Sequence, residues 1–143
     1  MATEAFAGPV DYVVFAFPAG SDASGGLSAL LERVAAGALE VLDLECVGKD
    51  AAGAGVRLEL SSLVGADAAA PFAGAESGVL DDDDRAEIAA SLEEGGFAIA
   101  VVYEDRSLAP VADAWAAVGA SELFSGGVAI DDLSSAVEEG AES

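Results

Sequence analysis

The stretch VDYVVFAF, residues 10–17, is almost wholly apolar and mixes β-branched with aromatic side chains. Such a run suits a central strand covered on both faces. Pro18-Ala19-Gly20 breaks it, and Leu27, Leu30, Leu31 and Val34 then keep the spacing of an amphipathic helix that ends near Gly37. A second strand is predicted through residues 40–47. KDAAGAG, residues 49–55, reads as a hairpin turn into a third strand over 56–60. There Val56, Leu58 and Leu60 alternate with Arg57 and Glu59.

Residues 61–80, SSLVGADAAAPFAGAESGVL, read as an irregular Ala/Gly-rich loop with one helical turn. Asp81 to Asp84 open a helix reaching about Leu92, and Gly95-Gly96 stop it. FAIAVVY, residues 97–103, is a second strongly apolar strand. Leu108, Val111, Ala112, Trp115 and Val118 recur at helical spacing, which makes Trp115 the expected core anchor of that helix. Residues 121–124 read as a short fifth strand, and Asp131-Asp132 open a weak terminal helix.

The order β-α-β-β-α-β, followed by α-β and a last helix, predicts one α+β domain over residues 1–143. Its core is a ferredoxin-like split βαβ arrangement, βαββαβ. The added α-β unit crosses over right-handed outside strand four, which gives the sheet order 5-4-1-3-2 with the helices on one face. Both faces of strands one and four are apolar, so something must cover the second face. The candidates are segment 61–80, the terminal helix or a second copy of the chain.

Composition narrows the function. The chain carries 27 acidic and 5 basic residues, a formal net charge of −22, yet is 53% hydrophobic. That charge disfavours nucleic acid, anionic membrane surfaces and phosphate-rich partners. The excess has two readings. One is salt adaptation, in which carboxylates hydrate the surface and salt screens their repulsion; the other is coding bias with ordinary acidic solubility. There is no histidine, which removes the commonest metal ligand and the usual acid–base residue at neutral pH. Cys46 stands alone in LDLECV and reads as a small buried hydrophobe, with no disulfide available. The first residues carry no basic or long apolar signal, and no run is long enough to span a bilayer, so a soluble cytoplasmic protein is expected.

GPVDYVVFAFPAG, LDLECVGKDAAGAGVRLEL and GVLDDDDRAEIAASLEEGGFAIAVVYED, followed by a helix and SELFSG, resemble in sequence and order small bacterial proteins of a domain-of-unknown-function family, in its short actinobacterial form. Longer relatives carry a glycine-rich apolar hairpin after the third strand and a membrane label. Here the matching segment, 61–80, is short and interrupted by Asp67, Pro71 and Glu76, and cannot cross a bilayer. The resemblance implies an architecture and supplies no activity, cofactor or catalytic residue.

Asp81, Asp82, Asp83 and Asp84 are the weak metal candidates, as a Ca²⁺ or Mg²⁺ site of carboxylate oxygens. The competing reading is a capped acidic helix N-terminus. An EF-hand loop fails, because Ala86 or Glu87 falls where the glycine is required. A histidine-based triad is impossible. Lys49, the only lysine, sits in a turn. Gly53-Ala54-Gly55 lacks the third glycine of a dinucleotide loop. Trp115 and Phe124 could line a pocket. No catalytic, cofactor-binding or metal residue is assigned. The expectation is a non-enzymatic, self-associating acidic domain with a structural or regulatory role, a homodimer or other homo-oligomer through the sheet face. The alternative is a small-ligand-binding domain with a pocket between the sheet and segment 61–80; an enzyme without histidine comes third.

Overall fold

A computed structural model describes residues 6–124. It is an α+β fold built on an open, four-stranded antiparallel sheet. Strand β1 runs Val10–Phe17, β2 Leu39–Lys49, β3 Gly55–Leu58 and β4 Phe97–Asp105. Helix α1 spans Ser24–Ala35 between β1 and β2. Between β3 and β4 lie α2 (Leu60–Val64), α3 (Ala66–Ala69), a 3-10 turn (Ala70–Phe72) and α4 (Asp82–Ala90); α5 (Ala109–Ala116) follows β4.

The sheet order is β1-β4-β2-β3, with every neighbouring pair antiparallel. The expected neighbours β1–β4 and β2–β3 are present. The expected order 5-4-1-3-2 is not: β4 pairs with β2 as well as β1, so β4 is central and VDYVVFAF lies on an edge. Side-chain size accounts for the exchange. FAIAVVY sets Phe97, Ile99 and Val101 on one face and the small Ala98 and Ala100 on the other, and all five are buried. Strand β1 presents Asp11 and Tyr12, and both are exposed on the rim it occupies. Residues 121–124 form no strand, and the expected helix opening at Asp131 lies outside the described residues.

The main core gathers Leu27 of α1, Leu44 and Cys46 of β2 and Phe97, Ile99 and Val101 of β4. Val13, Phe17, Leu58, Leu60, Leu63 and Phe72 pack around them. Phe17 and Phe97, directly paired across β1 and β4, stack with ring centroids 4.7 Å apart. Burying a leucine such as Leu27 in this setting is worth about 2–5 kcal/mol against alanine. The stripe expected in α1 is narrower than its spacing implies, since Leu27 is buried while Leu31 is exposed.

The opposite face is covered by α4, so the helices do not all share one side as expected. Gly55 of β3 lies under α4 so closely that a Cβ there would collide with the Arg85 carbonyl. Lys49 Nζ donates to the Leu92 carbonyl oxygen at 2.9 Å, which ties the strand to the segment after α4. Ala89 of α4 is fully buried. Among the described residues this face stays open over β1: Val10 and Tyr12 are exposed, Tyr12 at 76%.

Among the described residues, helix α5 does not anchor the core. Trp115 is 63% exposed and Phe124 92%, so neither takes the expected core or pocket position among the described residues. Helical spacing marks a stripe but does not supply a surface to receive it. Arg106 ties the start of the region instead: its NH1 donates to Glu104 Oε2 at 2.9 Å and to the Phe6 carbonyl oxygen at 2.8 Å.

Candidate functional site: two buried carboxyls under a strap

Strand β2 changes phase at Leu42. Val41 pairs with Tyr103 but Asp43 pairs with Val102, and the register shift between them marks a β-bulge. Beyond it Leu44 and Cys46 face the main core, while Asp43, Glu45 and Val47 face the α4 side. The bulge therefore sends two acidic side chains inward. Asp43 is 0% exposed and Glu45 2%. A charged group with so little water must find partners or change protonation state.

Residues 73–80 supply the partners as a strap along β2, against main-chain groups beyond the end of β3. Asp43 Oδ1 accepts the Ser77 N–H at 2.6 Å, and Glu45 Oε2 accepts the Leu80 N–H at 3.0 Å. The Ser77 hydroxyl donates to the Leu42 carbonyl oxygen at 2.9 Å. The Leu44 N–H donates to the Ala75 carbonyl oxygen at 3.1 Å. Gly74 and Gly78, at φ +82° and +73°, turn the backbone on either side of the Ala75 and Ser77 contacts.

One cation serves the cluster directly. Arg57 of β3 lies 3.9 Å from Glu45 Oε1 and donates through Nε to Glu76 Oε1 at 2.8 Å. Asp43 has no cation, and its Oδ2 has no hydrogen-bond partner among the described residues. Burial pushes the Asp43 carboxyl up to about 6, helped by hydrogen bonding to Glu45 and by the Glu45 and Glu76 charges. Burial acts upward on Glu45 too. The hydrogen bonds from Asp43 and the Leu80 N–H, with Arg57, outweigh it and hold Glu45 below the ordinary carboxylate range. Below about pH 6 the two carboxyls thus share one proton, on the Asp43 side.

On the other face of β2 a groove of about 330 Å³ opens between the sheet and segment 61–80. Its floor includes Leu44, Cys46, Leu58 and Phe72, and Glu59 and Glu76 stand at its margin. Burial pushes the Cys46 thiol up to about 12, with Glu76, Glu59 and Glu45 adding to the effect, so it stays a neutral apolar wall atom. A second hollow of about 390 Å³ lies among Lys49, Asp50, Gly53, Glu94 and Gly95, at the solvent-facing hairpin end.

Asp81 to Asp84 adopt the arrangement of a helix cap. Asp81 Oδ1 accepts the Asp84 N–H at 2.8 Å, and Asp84 Oδ2 accepts the Asp81 N–H at 3.0 Å, a reciprocal capping box. Asp82 pairs with Arg85, while Asp83 is exposed. Among the described residues, no group of three His, Cys, Asp or Glu side chains has an arrangement that could hold a metal ion. No helix of the described residues is long and apolar enough to cross a membrane.

The sequence reading missed Asp43 and Glu45. Alternation in LDLECV marks them as one face of a strand, and an acidic face ordinarily reads as solvated. The bulge and the strap that bury them are long-range features with no local signature. Comparison with protein-family models, curated proteins and solved structures finds no match.

Proposed function

We propose that this chain is a non-enzymatic, self-associating acidic domain with a structural or regulatory role, and that β1 is where copies meet. The observation that carries this is the edge position of β1 together with the exposure of Val10, Tyr12, Val14 and Phe15 along it. An edge strand offers unpaired backbone groups, and a second strand can add to it while apolar side chains seal the contact. The two faces of β1 contribute differently: Tyr12 and Val14 extend the open part of the α4-side sheet face, and Phe15 lies at the margin of the main core. We take the fold as a variant of the ferredoxin-like plan. It keeps the βαββαβ element order and two interleaved split βαβ units, with β4 exchanged into the centre. The resemblance to short actinobacterial proteins of the domain-of-unknown-function family, residence in the cytoplasm and the lack of a nucleic-acid partner belong to the same proposal. The last rests on the net charge of −22.

Light scattering at micromolar concentration in 0.05 M and 1 M NaCl tests it. The expected result is a dimer or larger oligomer that strengthens with salt, and a monomer for Tyr12→Lys at both salts. A monomeric wild type at both salts overturns the reading.

A second reading, a small-ligand domain, is favoured by the groove between the sheet and segment 61–80. Its apolar floor and its glutamates suit an apolar ligand with a cationic end. Thermal-shift measurements with alkylamines of increasing chain length check it; no shift at millimolar concentration removes it.

A further inference from the structure

We propose that residues 73–80 form a proton-operated strap, closed on β2 while Asp43 and Glu45 share one proton and loosened when that proton leaves to solvent. Three geometric facts carry this. Asp43 is fully buried with Oδ2 unpartnered among the described residues, and the buried Glu45 follows two residues on along the same face of β2. Two carboxylates cannot hydrogen-bond to one another; a carboxylic acid and a carboxylate can, and the shared proton gives Oδ2 its partner. Each acid also holds one strap amide, Ser77 N–H on Asp43 and Leu80 N–H on Glu45; these bonds favour the charged carboxylates, so the strap is held against the repulsion that proton loss creates and loosens only where that repulsion exceeds them. Gly74 and Gly78, both at positive φ, give the strap two backbone pivots, while Leu80 beyond them stays tied to α4 through Arg85.

The charged groups around the pair act in opposite directions, the glutamates favouring the proton and Arg57 the charge on Glu45. Glu45 lies beside Asp43 on β2, and the strap brings Glu76. Strand β3 brings Arg57, which is engaged by Glu76 and Glu45. From α4 comes Arg85, turned to the Leu80 carbonyl oxygen and Asp82. Strand β4 sets Val102 and Ala100 opposite the two acids and adds no charge. Losing the proton leaves two adjacent buried anions, with Glu76 near them and Arg57 as the one cation in contact. Repulsion is then relieved by letting water in under the strap. The strap also contributes Ala73, Gly74 and Glu76 to the groove wall, so its release widens the groove. The burial of both acids leaves no room for a substrate, which separates this role from carboxylate-pair catalysis.

The test is a pH series on the full chain by NMR, with wild type, Asp43→Asn and the exposed control Glu87→Gln. The asparagine keeps the acceptor for Ser77 N–H and donates permanently to Glu45. The expected wild type shows the Asp43 carboxyl carbon titrating near pH 6. The exchange of the Ser77 and Leu80 amides, corrected for intrinsic rate and referred to Val101 in β4, rises at least tenfold between pH 5 and 7.5. Asp43→Asn is expected to stay flat, and Glu87→Gln to follow wild type. An Asp43 carbon that titrates below pH 5 overturns the proposal, and this reading needs no variant. Strap amides that hold their protection to pH 8 overturn it, as does Asp43→Asn opening with pH as wild type does.

Discussion

Burial favours the neutral form of Asp43, and the sign of its contribution follows. Its folded value is raised, to about 6, above the ordinary 3.8. The folded state therefore binds more protons than the unfolded chain between these values, and stability falls as pH rises through that window. The loss is complete above about pH 7 and amounts to about 3 kcal/mol at 1.36 kcal/mol per pH unit. Glu45 is shifted down, so its contribution is present above its unfolded value and fades only as pH falls well below it. Cys46 gives a simpler expectation. Buried and held as a thiol, it should not react with Ellman's reagent in the folded protein at pH 8, and should react fully in 6 M guanidinium. Rapid modification of the folded protein would contradict the wall position assigned to it.

At the scale of elements, the close approach of α4 to β3 is the most exacting contact. A methyl group at Gly55 must displace the Arg85 carbonyl, so Gly55→Ala is expected to cost roughly 1–3 kcal/mol, the usual range for overpacking. Urea unfolding checks this, and a loss below 0.5 kcal/mol would place α4 farther from β3. The elements themselves were largely legible. VDYVVFAF and FAIAVVY announce strands, KDAAGAG announces its hairpin, and Asp81 to Asp84 announce a capped helix. The turn matches in detail, since Asp50 Oδ1 accepts both the Ala52 and Ala54 N–H groups. What was not legible was the partner of each strand. FAIAVVY and VDYVVFAF are both apolar enough for a centre, and only the small Ala98 and Ala100 hint at which one fits under a cover. The phase change at Leu42 has no sequence mark, and it decided where Asp43 and Glu45 went. Trp115 illustrates the converse, a helical stripe without a receiving surface among the described residues.

Across the whole molecule the charge of −22 sets how stability answers to salt. Arg57, Arg85, Arg106 and Lys49 are all engaged in contacts, and many carboxylates face solvent. Screening lengths shrink from about 30 Å at 0.01 M salt to about 3 Å at 1 M. The melting temperature is therefore expected to climb steeply between 0.01 and 0.3 M NaCl. A plateau beyond that range is the mark of ordinary screening, whereas a continued rise past 1 M is the mark of salt adaptation. A melting temperature independent of salt would show that self-repulsion does not limit the fold.

The central place of β4 also fixes when this sheet can exist. Strands β1 and β2 do not pair with each other; each pairs with β4, which the ribosome makes some eighty residues after β1. At roughly 5–20 residues per second, VDYVVFAF waits on the order of ten seconds without a partner strand. A nascent chain halted at residue 96 would own the 39–58 hairpin and no sheet. In the cell, that interval makes the newborn β1 a natural client for holding chaperones, and makes slow translation of the middle of the message a hazard rather than a help.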